Sequence, residues 1–285
     1  MNFLFYFLIV ACAGTQSATT KLYNRQAGNP AVFNAIKASA ALVLFALMAA
    51  VGFTFHLPTM LFGLAYGTCL SISMHAGYKA LCLGPMALTS MLASFSVVIP
   101  LLWGVTVGGE SVKGLQWVAF GLLIFAILMT NADKLRRKER AERGYALWLI
   151  YLLITFLTNG LCSVIQKEHQ TLYPEAYSRE FMLFAVLLCA IVFTVIALFQ
   201  MPRRAILASK GKGWGVLSGT CNGLANFFTL VLAGLENASV LFPAISAGTI
   251  LASLLCGRFI FKEKLRTHHY LALAAGVLAV VFLKL

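Results

Sequence analysis

Charge is scarce in this chain. Only 11% of its 285 residues are Asp, Glu, Lys or Arg, nine are acidic, and 60% are hydrophobic. A water-soluble domain of this size needs a surface carrying roughly 25% or more charged residues, so a mean hydropathy of +0.87 excludes an ordinary soluble fold. At about 20 residues per helical crossing, there is room for as many as ten spans and for no sizeable soluble domain. The seven cysteines contain no CxxC pair and lie mostly within apolar runs, where they read as small packing residues rather than as a disulfide or metal framework. There is no GxxxxGK[ST] loop, no paired carboxylate set and no His/Asp cluster. Nucleotide hydrolysis, metal-assisted hydrolysis and a resident cofactor are therefore not expected, and the chain does not read as an enzyme. Alternating hydrophobicity at ten-residue spacing is also missing, which disfavours a transmembrane barrel. The net charge of +13 forms no continuous basic footprint, so no nucleic-acid partner is expected.

What is present is a series of apolar runs at helical length. They fall at 2–20, 31–52, 59–82, 86–107, 115–131, 145–165, 179–200, 214–235, 238–257 and 268–284, separated by turn formers such as Gly28-Asn29-Pro30, Gly84-Pro85, Gly108-Gly109, Tyr173-Pro174 and Met201-Pro202. Helices are expected because every backbone N–H and C=O must be paired inside lipid. The run before Cys12 is too short, and lacks the basic start, for a lipoprotein signal, so a first membrane helix is expected there. Distributing Lys and Arg over alternate sides of ten spans places 17 on one side and 4 on the other, with Lys37 inside the second span. The positive-inside rule then puts the basic 132–144 stretch in the cytoplasm and both termini outside.

An internal repeat organises the spans. Gly67-Thr68-Cys69 recurs as Gly219-Thr220-Cys221, 152 positions on, and the step at Gly109-Glu110 recurs at Lys262-Glu263, 153 on. The first spans of the two halves align at an offset of 146, pairing Gly14 with Gly160, Ser17 with Ser163 and Lys21 with Lys167. The expected fold is an all-α integral membrane protein with ten transmembrane helices in two inverted five-helix repeats. These are 1–131 and 145–285, joined by the basic connector 132–144. An odd number of crossings per half inverts the second half, an arrangement suited to alternating access.

On Gly109-Glu110-Ser111-Val112 with Gln116-Trp117-Val118-Ala119, and on Lys262-Glu263-Lys264-Leu265 before an Ala/Gly-rich last helix with Gly276, the chain resembles the drug/metabolite transporter superfamily, in its EamA-like ten-helix branch. The likeness covers essentially the whole chain. It departs from the family pattern at Lys262, and at Ala119 and Ala272 where glycine is common; alanine still permits close helix contact. The resemblance implies transport across the inner (plasma) membrane, with a central cavity lined by the first four helices of each half. The last helix of each half would serve as scaffold or dimer surface.

Polar groups within the spans carry the substrate question. Asn34 and Lys37 share a face of the second span, and His75, Tyr78 and Lys79 form a polar face on the third. Lys21 and Lys79 lie close enough to a boundary to lift their amines out, whereas Lys37 does not. In the second half, Asn159, Ser163, Gln166 and Lys167 occur in and just after the first span. Asn222 and Asn226, four apart, present two amides on one stripe, as cavity lining or as interhelical glue. The expected substrate-binding set is Asn34, Lys37, His75, Tyr78, Asn159, Asn222 and Asn226. Glu180 and Lys79 are candidates for ion coupling or ion pairing, Glu180 with Arg179 as an available partner. The expected partners are membrane lipids and a small polar organic substrate, anionic or zwitterionic to suit Lys37. Coupling to a proton or another ion and facilitated diffusion are both open, and a monomer and a homodimer are both compatible. The expected function is secondary transport; a lipid or lipid-linked flippase, and less favourably a membrane enzyme on such a substrate, are the alternatives.

Overall fold

The computed structural model describes residues 2–26, 29–83, 93, 95–110, 114–130, 144–260 and eight positions between 270 and 282. The connector at 132–143, the second glutamate step at 262–265, Ala272, Gly276 and most of the 268–284 run lie outside the described residues, as do the side chains of Ser17 and Lys21.

Among the described residues the chain is all helical. The helices are α1 (Asn2–Arg25), α2 (Pro30–Ala49), α3 (Leu57–Leu83), α4 (Val98–Thr106), preceded by a 3-10 turn at Phe95–Val97, and α5 (Gly114–Thr130). They continue with α6 (Gly144–Leu172), α7 (Ser178–Gln200), α8 (Arg203–Ala208), α9 (Lys212–Leu235) and α10 (Ala238–Phe259). Six of these, α1, α2, α3, α6, α7 and α9, contain segments long and apolar enough to cross a membrane.

Local chemistry explains several boundaries. Asn29 caps α2 by accepting from the N–H groups of Ala31 at 2.8 Å and Val32 at 3.4 Å, and Pro30 occupies the first turn, where no N–H is missed. Within α1, the hydroxyls of Thr15, Thr19 and Thr20 donate to carbonyls of Ala11, Thr15 and Gln16. A helix can thus carry threonines through an apolar medium without an unpaired donor.

The chain forms two compact units, and neither follows a sequence half. The first comprises 1–71 and 165–235, the second 72–164 and 236–285. In the first, α9 packs on α1 and α2, and α7 packs on α2 and α9. Thr54, just beyond the end of α2, contacts Glu180 in the first turn of α7, so these two helices run antiparallel. In contrast, α9 runs parallel to α2, since Gly215 meets Ile36, Gly219 meets Lys37 and Gly223 meets Ala41 and Phe45. The first part of α3 runs parallel to α7, with Gly63 against Phe181 and Phe184, and Gly67 against Ala185.

Glycine is required at two of these crossings. A Cβ at Gly67 would lie 2.6 Å from the Ala185 carbonyl oxygen, and one at Gly219 would collide with the carbonyl of Lys37. The repeated Gly-Thr-Cys tripeptide therefore marks two equivalent places where backbones touch. Both belong to small-residue stripes, Gly63/Gly67 on α3 and Gly215/Gly219/Gly223 on α9, the spacing that lets membrane helices approach closely.

In the second unit α10 packs on α4 and α5. The Glu110 carboxylate accepts from the N–H groups of Ala238 at 2.7 Å and Ser239 at 2.9 Å, the first turn of α10. A carboxylate on orphan N–H groups at the positive end of a helix dipole is stabilising, which gives the Gly109-Glu110 step a structural role. Glu110→Gln is expected to lower stability by about 1 kcal/mol and Glu110→Ala by up to about 2 kcal/mol. Denaturant titration in detergent checks this; equal stability of all three proteins would remove the capping role.

Candidate functional site

The clearest polar concentration in the first unit begins at Lys37, which is only 6% exposed although its neighbours on α2 are apolar or small. Asn34, one turn earlier, is buried too. The Cys189 thiol on α7 lies within electrostatic reach of the Lys37 ammonium. Cys189 is itself tied to α3: Ser71 Oγ donates to its sulfur at 3.2 Å, and the thiol donates to the Gly67 carbonyl at 3.4 Å. Lys37 and Cys189 are separated by the same 152 positions as the two Gly-Thr-Cys tripeptides, and they lie on α2 and α7, which pack on each other.

A second network joins α1, α3, α6 and α9. Gln166 Nε2 donates to the Asn226 carbonyl at 3.1 Å and to Tyr66 Oη at 3.4 Å, and Tyr66 Oη donates to Asn226 Oδ1 at 2.8 Å. Asn226 Nδ2 donates to the Asn222 carbonyl at 2.9 Å, and Asn222 Nδ2 to Gln16 Oε1 at 3.1 Å. Both asparagines of the stripe thus have protein partners while remaining half-buried. With Gln16, Tyr66 and Gln166 they hold four helices together. Tyr66, Gln16 and Gln166 belong to this cluster, and none of the three is in the substrate-binding set expected from the sequence. The Gly63/Gly67 spacing that sets Tyr66 beside the α7 crossing was the signal available.

At the end of the first unit where α2 gives way to α3, buried polar groups clamp the connection. Glu180, 2% exposed, accepts from Thr54 N and Oγ1, both at 3.3 Å, whereas Arg179 donates to the Val51 carbonyl at 3.0 Å. The two charged neighbours take different partners, and Glu180 braces a loop. His169, fully buried, hydrogen-bonds through Nε2 with Thr59 at 3.0 Å and through Nδ1 with Gln170 at 3.1 Å. His56 stacks on Tyr177 at 4.4 Å.

Asn34, Lys37, Glu180, Asn222 and Asn226 therefore fall in the first unit. His75, Tyr78, Lys79 and Asn159 fall in the second. There, Asn159 Oδ1 accepts from Ser73 Oγ at 2.6 Å, His75 and Tyr78 are half-buried, and Lys79 is exposed. Among the described residues no group of three or more His, Cys, Asp or Glu is placed to hold a metal ion.

Six long apolar helices with polar groups at their crossings define a membrane-embedded, multi-pass α-helical bundle of a kind consistent with transport. No family model matches the chain, and no curated protein matches it. A protein of known crystal structure is similar to it over 99% of this chain and 98% of its own, with a TM-score of 0.78 at 14% identity. That likeness extends to the whole fold and is confined to the fold.

Proposed function

We propose that this protein is a secondary transporter that moves a small anionic or zwitterionic organic metabolite across the inner membrane by alternating access. The observation that carries the proposal is Lys37: a cation buried where α2 meets α9 at Gly219, one turn from buried Asn34, with no carboxylate found to pair with it among the described residues. An intramembrane ammonium costs several kcal/mol unless something compensates it, and a substrate carboxylate or phosphate would do so. Asn34, Asn222 and Asn226, with Tyr66 and Gln166, would supply hydrogen bonds. Like the EamA-like transporters it resembles, the protein would have ten spans in two inverted repeats, with both termini outside. The parallel packing of α2 with α9 and of α3 with α7 supports inversion, because second and third helices of one uninverted half alternate in direction. Binding at the meeting of repeat-related helices is the usual geometry for alternating access. No catalytic role is assigned to any residue, and a proton or another ion would drive the cycle.

Protein reconstituted in liposomes should accumulate one class from a panel of labelled amino acids, carboxylates, phosphorylated metabolites and amines. The same class should raise its thermal stability in detergent. Transport of none of them, together with translocation of fluorescent phospholipid between leaflets, would replace this reading with a flippase.

A further inference from the structure

A groove of about 900 Å³ lies on the first unit between α2, α7, α8 and α9. Its walls are almost wholly apolar. Val43 and Leu47 of α2, Leu198 of α7 and Val216 of α9 line it and are all exposed. The Thr220 hydroxyl in the same wall is turned to the Val216 carbonyl at 3.1 Å, so this residue need not seek a polar ligand. On α2 the lining runs from Ala35 to Leu47, roughly 18 Å at 1.5 Å per residue, comparable to one leaflet of a hydrocarbon core about 30 Å thick. Among the described residues one charged side chain lines the groove, Arg203, just past the end of α7 where the chain leaves its apolar span through Met201-Pro202. Arg204, Lys210 and Lys212 follow within ten residues.

We infer that this groove is a binding site for an anionic phospholipid of the surrounding bilayer, one acyl chain lying along α2 and α7 and the phosphate resting on Arg203. The shape suits a flexible chain, and the single charge sits where the chain leaves the hydrocarbon. Arginine presents a planar fork that matches phosphate oxygens, and basic groups at the edge of membrane helices select anionic headgroups. A second copy of the protein fits less well. It would have to bring a carboxylate to Arg203 from a chain with only nine acidic residues, or bury the guanidinium unpaired. The site differs from the one proposed for the substrate, being an outer groove rather than a buried helix crossing.

The test uses the full chain in detergent, delipidated and then exposed to phosphatidylglycerol or phosphatidylcholine of matched acyl chains. Native mass spectrometry should show phosphatidylglycerol retained at least tenfold more strongly than phosphatidylcholine. Arg203→Gln should remove that preference, and Arg204→Gln, whose residue does not line the groove, should keep it. Equal retention of the two lipids by the wild-type protein, or an unchanged preference in Arg203→Gln, would overturn the inference. Ala40→Phe tests it independently by filling a lining position without altering charge. It should reduce phosphatidylglycerol retention, and full retention with the groove so filled would also overturn the site. A groove occupied instead by a second copy would appear as a dimer that phosphatidylglycerol does not dissociate.

Discussion

Replacing Lys37 by methionine is expected to make the ligand-free protein more stable and to abolish uptake. Methionine keeps the length and most of the volume of the side chain, so the α2 crossing remains filled, which volume-conserving replacements generally tolerate. The ammonium is removed from a position 6% exposed. Replacing buried ionic groups with apolar residues of similar volume is often neutral or stabilising by roughly 1–4 kcal/mol, and a gain of about 1–3 kcal/mol is expected here. Uptake should fall by about 100-fold or more, because a substrate anion would lose its charge-assisted partner in a medium where that loss is not made good by water. Opposite signs in the two measurements are what distinguish a functional lysine from a structural one. A destabilised Lys37→Met protein would make Lys37 a support of the fold, and uptake at the wild-type rate would remove it from the substrate site. Functional groups held at the expense of stability are a common pattern in sites that must receive a ligand.

Gly219→Val should be the most damaging single substitution in the first unit. Its Cβ would enter the backbone carbonyl of Lys37, and a carbonyl inside a helix cannot move aside as the end of a flexible side chain can. Relief would require α9 to separate from α2 along the whole stripe of Gly215, Gly219 and Gly223. Overpacking costs typically 1–3 kcal/mol and occasionally more; here roughly 3 kcal/mol or more is expected, with loss of folded protein on size-exclusion chromatography. Gly121→Ala is the matching control. Among the described residues a Cβ there meets nothing within 4 Å, and alanine is favoured over glycine inside a helix by about 1 kcal/mol, so that variant should be as stable as the wild type or slightly more so. If Gly219→Val folded as well as Gly121→Ala, the close crossing of α2 and α9 would be wrong.

Much of the architecture was legible because lipid leaves few options. The expected runs at 31–52, 179–200 and 214–235 correspond to helices at Pro30–Ala49, Ser178–Gln200 and Lys212–Leu235. Length and apolarity are sufficient signals where every backbone group must bond within its own helix. Boundaries were less legible. The run expected to end at 165 continues as helix to Leu172, carrying Gln166 and His169 into the helix, because their side chains find partners on neighbouring helices and do not need water. The burial of Lys37 could be anticipated from its distance to either end of the span. Partners could not. Glu180 beside Arg179 invited an ion pair, but their backbones present them to Thr54 and Val51 respectively. The asparagine stripe was equally readable as lining or as glue, and Tyr66 and Gln16 take up its hydrogen bonds.

Composition and periodicity alone determined that this chain is a bundle of apolar helices, because hydrophobic length and backbone pairing act within a single segment. Which helices touch was decided by the tertiary structure. The recurring Gly-Thr-Cys tripeptide singled out Gly67 and Gly219, but only the packing shows that the first receives the backbone of α7 at Ala185 and the second that of α2 at Lys37. Lys37 is one cation among 22 basic residues in the sequence. Its burial arises from the packing of α2 on α7 and α9, segments more than 140 positions away in the chain, and such contacts leave no mark in any local window.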